Sequence, residues 1–225
     1  RFAAEFQSFY PHLDVLANLA GLEYPRRKLS LDGHEYNLAA NVLGPFLLTN
    51  LLIGSLLTAA PATILNVSGE VHRTGAIHFD DLQLKRHFPF KEARGQTAMA
   101  RVVWTYELAR RLAGTGITAN TFCPGWTRSR LLRYYPAFLR WPQQLAARFL
   151  AAAPEASMRP VIDFTLREGL SGQSGLYLSK GKPTKSVPIT YRSILGRRLW
   201  LHLENMTSTK GHLQEAVREL RAIPY

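Results

Sequence analysis

Cysteine is nearly absent from this sequence. Among its 225 residues there is one, Cys123. A single thiol cannot form an intramolecular disulfide, and it leaves no cysteine cluster of the kind that binds zinc. Cys123 lies in an apolar run, which favours a buried structural thiol over a reactive one.

Acidic residues are also scarce. The sequence has 16 Asp and Glu against 28 Lys and Arg, which gives a formal net charge of +12 and a pI near 10.2. This excess favours a polyanionic neighbour such as nucleic acid, an anionic membrane surface or an acidic protein, although a compartment of generally basic proteins would explain it equally well. The basic residues form short scattered clusters, which argues against a dedicated nucleic-acid motif.

A secretory leader is not recognisable, since the first six residues contain neither an apolar core nor an initiator Met, and we expect a segment to precede Arg1. The run at 39–60 carries no charge over 22 residues, which is long enough for a membrane-spanning helix. However, Asn41, Asn50 and the Gly44-Pro45 pair interrupt it, and it lies between two strand-like runs. A crossover helix is therefore the favoured interpretation.

The order of apolar segments predicts the fold. Strand-like runs alternate with helical stretches, the strands at 13–18, 63–68 and 117–123 and the helices at 36–59 and 92–113. This alternation is typical of a parallel sheet with helices on both faces, so the predicted class is α/β, doubly wound and Rossmann-like. Further along the chain the pattern predicts helices at 142–153, 154–168 and 193–221, the last broken near Gly211, and a short strand at 175–179. No linker or repeat is visible, so residues 1–225 are expected to form one domain.

Four motifs in fixed order carry a resemblance to a known family. They are LDVLANLAG at 13–21, NVLGPFLLTNLL at 41–52, NVSGEVHR at 66–73 with FDDLQ at 79–83, and ELARRLAGTGITANTFCPG at 107–125. Together they resemble the short-chain dehydrogenase/reductase family, especially its retinol-dehydrogenase-like branch. In that order they are similar to the strand ending in Asn-Asn-Ala-Gly (here with Leu19), the helix kinked at an Asn, the catalytic-serine strand, and the Pro-Gly turn beneath the nicotinamide.

The resemblance implies hydride transfer between a nicotinamide and an alcohol or carbonyl, performed by a Tyr, a Lys four residues later and a Ser. In register with the family, those positions are Arg94, Ala98 and Gly69, and of the tetrad Asn41 alone remains. Arginine stays protonated near neutral pH, alanine cannot lower a neighbouring pKa, and glycine has no hydroxyl. No catalytic residue is therefore expected, and the favoured interpretation is a non-catalytic pseudoenzyme serving as a structural subunit. The alternative is an NAD(P)-dependent oxidoreductase acting on a retinol-like or other alcohol or carbonyl.

Possible substitutes for the missing residues are weak. Ser68 precedes Gly69, but strand alternation predicts that its hydroxyl faces away from a substrate. Tyr24 and Lys28 have the family spacing, but Pro25 between them disfavours a shared helix face. His72 and His78 are expected to be solvated loop residues.

Cofactor and partner expectations follow from the same resemblance. The glycine-rich phosphate-binding turn belongs to the family's first strand and helix, and nothing ahead of Leu13 supplies it. No cofactor is expected, with NADP or NAD as the alternative if the cleft is open. Vestigial cofactor contacts are then assigned to Asn18, Gly21, Pro124, Gly125 and Thr127.

The strand that begins at Leu13 and ends at Asn18 would be an exposed sheet edge, so other protein subunits are expected to cover it. An anionic membrane surface or an RNA-containing complex is a further possible partner, and a metal is not expected.

Basicity and the missing Met favour a mitochondrial location, with the endoplasmic reticulum or cytoplasm as alternatives. In the cleft, Arg94 is expected to pair with Glu70, Asp80 or a neighbouring chain.

Overall fold

The computed structural model describes residues 1–166 and 172–222. The helices are α1 (Phe2–Phe9), α2 (Tyr36–Leu38), α3 (Gly44–Leu51), α4 (Ile53–Thr58), α5 (Phe90–Arg111), α6 (Ala137–Leu150), α7 (Pro154–Leu166), α8 (Ser193–Thr207) and α9 (His212–Ala222). The strands are β1 (Val15–Asn18), β2 (Ala62–Val67), β3 (Ile117–Cys123), β4 (Tyr177–Ser179) and β5 (Lys182–Thr184).

The sheet follows chain order. Strands β1 to β4 are parallel neighbours, and β5 pairs antiparallel with β4. Because parallel neighbours need long crossovers, a helical segment separates each of them from the next. Strand β1 pairs with β2 alone among the described strands and therefore forms an edge of the sheet within this chain.

Both faces of the sheet are buried, as a doubly wound fold requires. On β2, Ile64 belongs to a large cluster with helices α3, α5 and α8, whereas the next residue, Leu65, packs on the other face with Phe122 and Val161. The centre of the large cluster is aromatic, with Phe46 edge-on to Trp200 at 4.7 Å and to Trp104 at 5.7 Å between ring centroids. The α/β prediction is confirmed.

The uncharged run at 39–60 forms part of the crossover between β1 and β2. Its helix is interrupted by a π-helical turn at Ala39–Leu43, which places Asn41 at the point where the backbone widens. Such turns are frequent at functional sites. No helix among the described residues is long and apolar enough to cross a membrane.

Other boundaries differ from the predicted ones. Helix α6 begins at Ala137, so Pro142 lies inside the helix and does not begin it. The proline removes one backbone hydrogen bond, which this exposed segment tolerates. The predicted break near Gly211 is confirmed, since Ser208 and Gly211 adopt positive φ between α8 and α9. The predicted helix end at 168 lies outside the described residues, and β5 was not predicted.

Candidate functional site

The positions that the resemblance assigns to the family's catalytic residues lie close together in the structure. Gly69, Arg94 and Ala98 line one small cavity of about 100 Å³ at the carboxyl end of the sheet. Gly21 and Asn41 line the same cavity. The structure therefore brings together the positions assigned to the family's Ser, Tyr and Lys and the retained Asn.

Asn41 fixes the loop that follows β1. Its Oδ1 accepts a hydrogen bond from the Leu22 amide at 2.9 Å, and its Nδ2 donates to the Leu22 carbonyl at 2.8 Å. Satisfying both backbone groups of one buried residue is a structural role that needs no catalysis.

Arg101, which sequence reasoning missed, occupies the floor of the cavity. Its buried guanidinium donates to the carbonyl oxygens of Asn41, Val67 and Ala20, and to the Asn41 Oδ1 at 3.0 Å. No carboxylate lies within ion-pair distance of it among residues 1–166 and 172–222. Burial lowers the pKa of Arg101 to about 10, so the side chain is still a cation at neutral pH.

A signal for Arg101 was present in the sequence. It lies three residues after Ala98 on α5 and is followed by the apolar run Val102, Val103 and Trp104. Side chains three residues apart on a helix share a face. The long Arg101 side chain can therefore reach the space beside the short side chain of Ala98. A charged residue in such a run is rarely buried without a partner.

Arg94 closes the side of the cavity. Its Nε donates to Glu23 Oε1 at 2.7 Å, and the Tyr135 hydroxyl donates to Glu23 Oε2 at 2.6 Å. The pairing of Arg94 with an acid was predicted, but the predicted partners Glu70 and Asp80 were wrong. Glu70 instead accepts hydrogen bonds from Arg73 at 2.6 Å and from the Tyr177 hydroxyl at 2.9 Å, because its turn faces β4.

Ser68 departs from its prediction. It lines the cavity beside Gly69, because β2 ends at Val67 and strand alternation does not extend to residue 68. Its hydroxyl donates to the carbonyl oxygen of Ala98 at 2.9 Å and is thereby held against α5.

The other candidate substitutes lie outside the cavity lining. His72 is buried, not solvated, with Nδ1 2.8 Å from the Gly69 carbonyl oxygen, and burial lowers its pKa. His78 is partly exposed, with Nε2 3.6 Å from Glu92 Oε2. Lys28 lies over the rings of Tyr24 and Tyr36.

Comparison with known proteins agrees with the family resemblance of the four motifs. The chain is 38% identical over 200 residues to retinol dehydrogenase 12 of Bos taurus and 35% identical over 199 residues to retinol dehydrogenase 11 of Homo sapiens, each alignment covering 88% of this chain. This chain belongs to the short-chain dehydrogenase/reductase family, in its retinol-dehydrogenase-like branch. It spans 62% of the length of these two relatives.

Solved structures show the same family fold. A short-chain dehydrogenase from Salmonella enterica matches with a TM-score of 0.58 at 19% identity, covering 80% of this chain and 68% of that chain. RhlG of Pseudomonas aeruginosa, solved with NADP in its active site, matches with a TM-score of 0.60 at 22% identity, covering 80% of this chain and 69% of that chain. No protein-family profile matches the sequence.

The residues assigned as vestigial cofactor contacts make contacts with other residues of the chain. The Asn18 Nδ2 donates to Thr49 Oγ1 at 3.1 Å and to Asn66 Oδ1 at 2.8 Å, inside the sheet. The Thr127 hydroxyl donates to Ser157 Oγ at 2.8 Å. Pro124 and Gly125 follow β3, and Gly125 has φ of +76° and packs against Lys180.

The cavity between these residues is small, with a volume of about 100 Å³. A Cβ built on Gly21 would lie 3.5 Å from Arg101 Nη2 and 3.6 Å from Asn41 Oδ1. The side chains of Arg101 and Asn41 therefore pack directly on the glycine of the Asn-Leu-Ala-Gly motif at this end of the cavity.

Proposed function

We propose that this chain is a non-catalytic member of its family and serves as a structural subunit of a larger assembly. The observation that carries the proposal is the pair of arginines in the cleft. Arg101 fills the floor, and Arg94, held by Glu23, closes the side. The relatives' dehydrogenase names state what those proteins do, and the resemblance assigns the family's proton-transfer positions to Arg94 and Ala98 in this chain.

The chemistry of these side chains supports the proposal. A general acid–base catalyst works best when its pKa lies near the operating pH. The Arg101 pKa of about 10 is far above that range. The Tyr135 hydroxyl shares Glu23 with Arg94, but burial and its hydrogen bond to Glu23 raise its pKa, which holds its proton more tightly.

The rival function is an NAD(P)-dependent oxidoreductase acting on a retinol-like or other alcohol or carbonyl substrate. The specific observation in its favour is the 38% identity to a retinol dehydrogenase. It requires that the cleft opens and that unusual residues transfer the proton.

The test is NADPH and NADH binding by the natural full-length protein, measured by calorimetry, with retinaldehyde reduction assayed alongside. We expect no saturable binding and no turnover, whereas bovine retinol dehydrogenase 12 serves as the positive control. The triple variant Gly69→Ser, Arg94→Tyr, Ala98→Lys is also expected to lack efficient turnover, since Arg101 still fills the floor. Turnover by the wild-type protein would establish the rival function, and binding without turnover would indicate a nucleotide sensor.

The assembly is proposed from the edge of the sheet. Backbone groups on the outer side of β1 need a covering segment or partner, which other protein subunits would supply. A mitochondrial location and an RNA-containing complex remain predictions from the basic composition, to be tested by microscopy of the tagged full-length protein.

A further inference from the structure

Helix α6 has its apolar side turned outward. Phe138, Trp141, Leu145 and Phe149 are spaced by three, four and four residues, which places them on one face of the helix. Their exposed fractions are 74%, 69%, 49% and 77%. A surface helix of a globular protein normally buries such a face against the core.

Among the described side chains of α6, the partly buried ones are Arg140, Ala146 and Ala147, none of which is a large apolar residue. Gln143, Gln144, Ala147 and Arg148 line a groove of about 630 Å³ between the helix and the segment at 126–132. The arrangement is therefore inverted with respect to an ordinary amphipathic helix. An apolar stripe this exposed marks a contact surface.

The charge around α6 identifies the occupant. The sequence has no Asp or Glu between Glu107 and Glu155, and Arg128, Arg130, Arg133, Arg140 and Arg148 all lie on α6 or the segment ahead of it. Arg128, Arg130 and Arg148 line the groove, and the structure shows no ion pair for any of them within the described chain.

We propose that α6 docks in the plane of an anionic lipid bilayer, with Phe138, Trp141, Leu145 and Phe149 inserted at the level of the headgroups. Interfacial helices of this kind combine a face of Trp, Phe and Leu with flanking Lys or Arg that bind anionic headgroups. A protein partner would need a matching acidic surface around an apolar groove, whereas an anionic bilayer supplies both features at once. This binding does not depend on whether the cleft is catalytic.

The apolar contribution is tested by vesicle flotation of the full chain with phosphatidylcholine–phosphatidylserine vesicles. Wild type is expected to float with these vesicles, and the double variant Phe138→Ser, Phe149→Ser is expected to lose at least tenfold in apparent affinity. The matched control is Leu31→Ser with Ile194→Ser, two apolar side chains outside α6 whose exposed fractions are 107% and 72%. Circular dichroism and thermal melting verify that each variant is folded.

The electrostatic contribution is tested with Arg130→Gln and Arg148→Gln. Each lost cation near the surface is expected to lower binding to the anionic vesicles about fivefold. The control variant Arg197→Gln, Arg218→Gln removes the same net charge from α8 and α9. Binding of wild type to phosphatidylcholine alone is expected to be far weaker.

Three results would overturn the proposal. The first is absence of binding to anionic vesicles. The second is equal loss of binding in the α6 variants and in their controls. The third is a dimer in solution that the Phe138→Ser, Phe149→Ser variant converts to a monomer, which would assign the stripe to a second copy of the chain.

Discussion

At the scale of single residues, the guanidinium of Arg101 is the group that links the segments around the cavity. It binds carbonyl oxygens from the loop after β1, from the π-helical turn and from the end of β2. A buried cation loses hydration, and hydrogen bonds to charged groups recover part of that cost at roughly 1.5–3 kcal/mol each. Arg101 therefore stabilises the cleft only while the carbonyl oxygens that accept its hydrogen bonds keep their positions.

Replacing Arg101 with Met should lower the free energy of unfolding by about 3 kcal/mol, because the buried carbonyl oxygen of Asn41 and the partly buried carbonyl oxygens of Ala20 and Val67 lose their donor. Urea denaturation followed by circular dichroism measures the change. Arg197→Met, at an exposed position on α8, should stay within about 0.5 kcal/mol of wild type. A neutral or stabilising effect of Arg101→Met would show that desolvation of the cation outweighs its hydrogen bonds.

Arg94 and Arg101 also mark the limit of sequence reasoning about the site. The resemblance assigned Gly69, Arg94, Ala98 and Asn41 to one site, because the register of the four motifs fixes the positions of the family's catalytic residues. The choice of Glu23 over Glu70 could not be predicted, since it depends on how the loop after β1 folds back over α5. No local pattern encodes a contact between residues 71 positions apart.

At the scale of elements, the position of Arg94 depends on a close approach between α5 and the loop at 70–75. A Cβ on Gly75 would lie 2.1 Å from the Gly95 carbonyl oxygen, and a Cβ on Gly95 would lie 2.8 Å from the Gly75 Cα. Backbone therefore packs directly on backbone here. This contact places Arg94, which directly precedes Gly95, at the cavity.

Gly75→Ala should lower the free energy of unfolding by about 1–3 kcal/mol or more, since overpacking forces the loop away from α5. Gly54→Ala is the matched control, because Gly54 lies in α4 with nothing within 4 Å of an added Cβ. That change should be neutral or stabilise by up to about 1 kcal/mol through helix propensity. Thermal and urea unfolding of the two variants give the comparison, and equal stabilities would refute the close-packing argument.

The elements themselves were largely predictable. Strand β3 has the predicted bounds, and all but one of its residues are buried, as expected of a strand covered on both faces. Helix α6 was placed too late, since Pro142 was taken as a helix start although the turn ahead of it is helical too. Strand β5 was missed because Lys182–Thr184 is exposed throughout and has no apolar pattern to reveal it.

At the scale of the whole molecule, we expect the unpaired edge of β1 in this chain to favour self-association. Val15 and Ala17 are exposed while Leu16 and Asn18 are buried. An unpaired parallel edge with an apolar residue is a template for strand pairing between chains.

The chain expressed alone should self-associate with rising concentration, and Val15→Lys should reduce this association by placing a charge on the edge strand. Light scattering coupled to gel filtration measures the effect. Leu31→Lys, which replaces a fully exposed apolar side chain in a loop, should leave association unchanged. A wild-type protein that is monodisperse and monomeric would argue that β1 needs no covering partner.

The network around Arg101 has a consequence for any redesign of the cleft. One guanidinium joins three separate segments, so substitutions around it are not independent of one another. A lysine introduced at position 98 would set a second cation beside the first, and removing Arg101 alone would leave carbonyl acceptors of three segments without their donor. A lysine at position 98 is therefore expected to be tolerated only together with a replacement of Arg101.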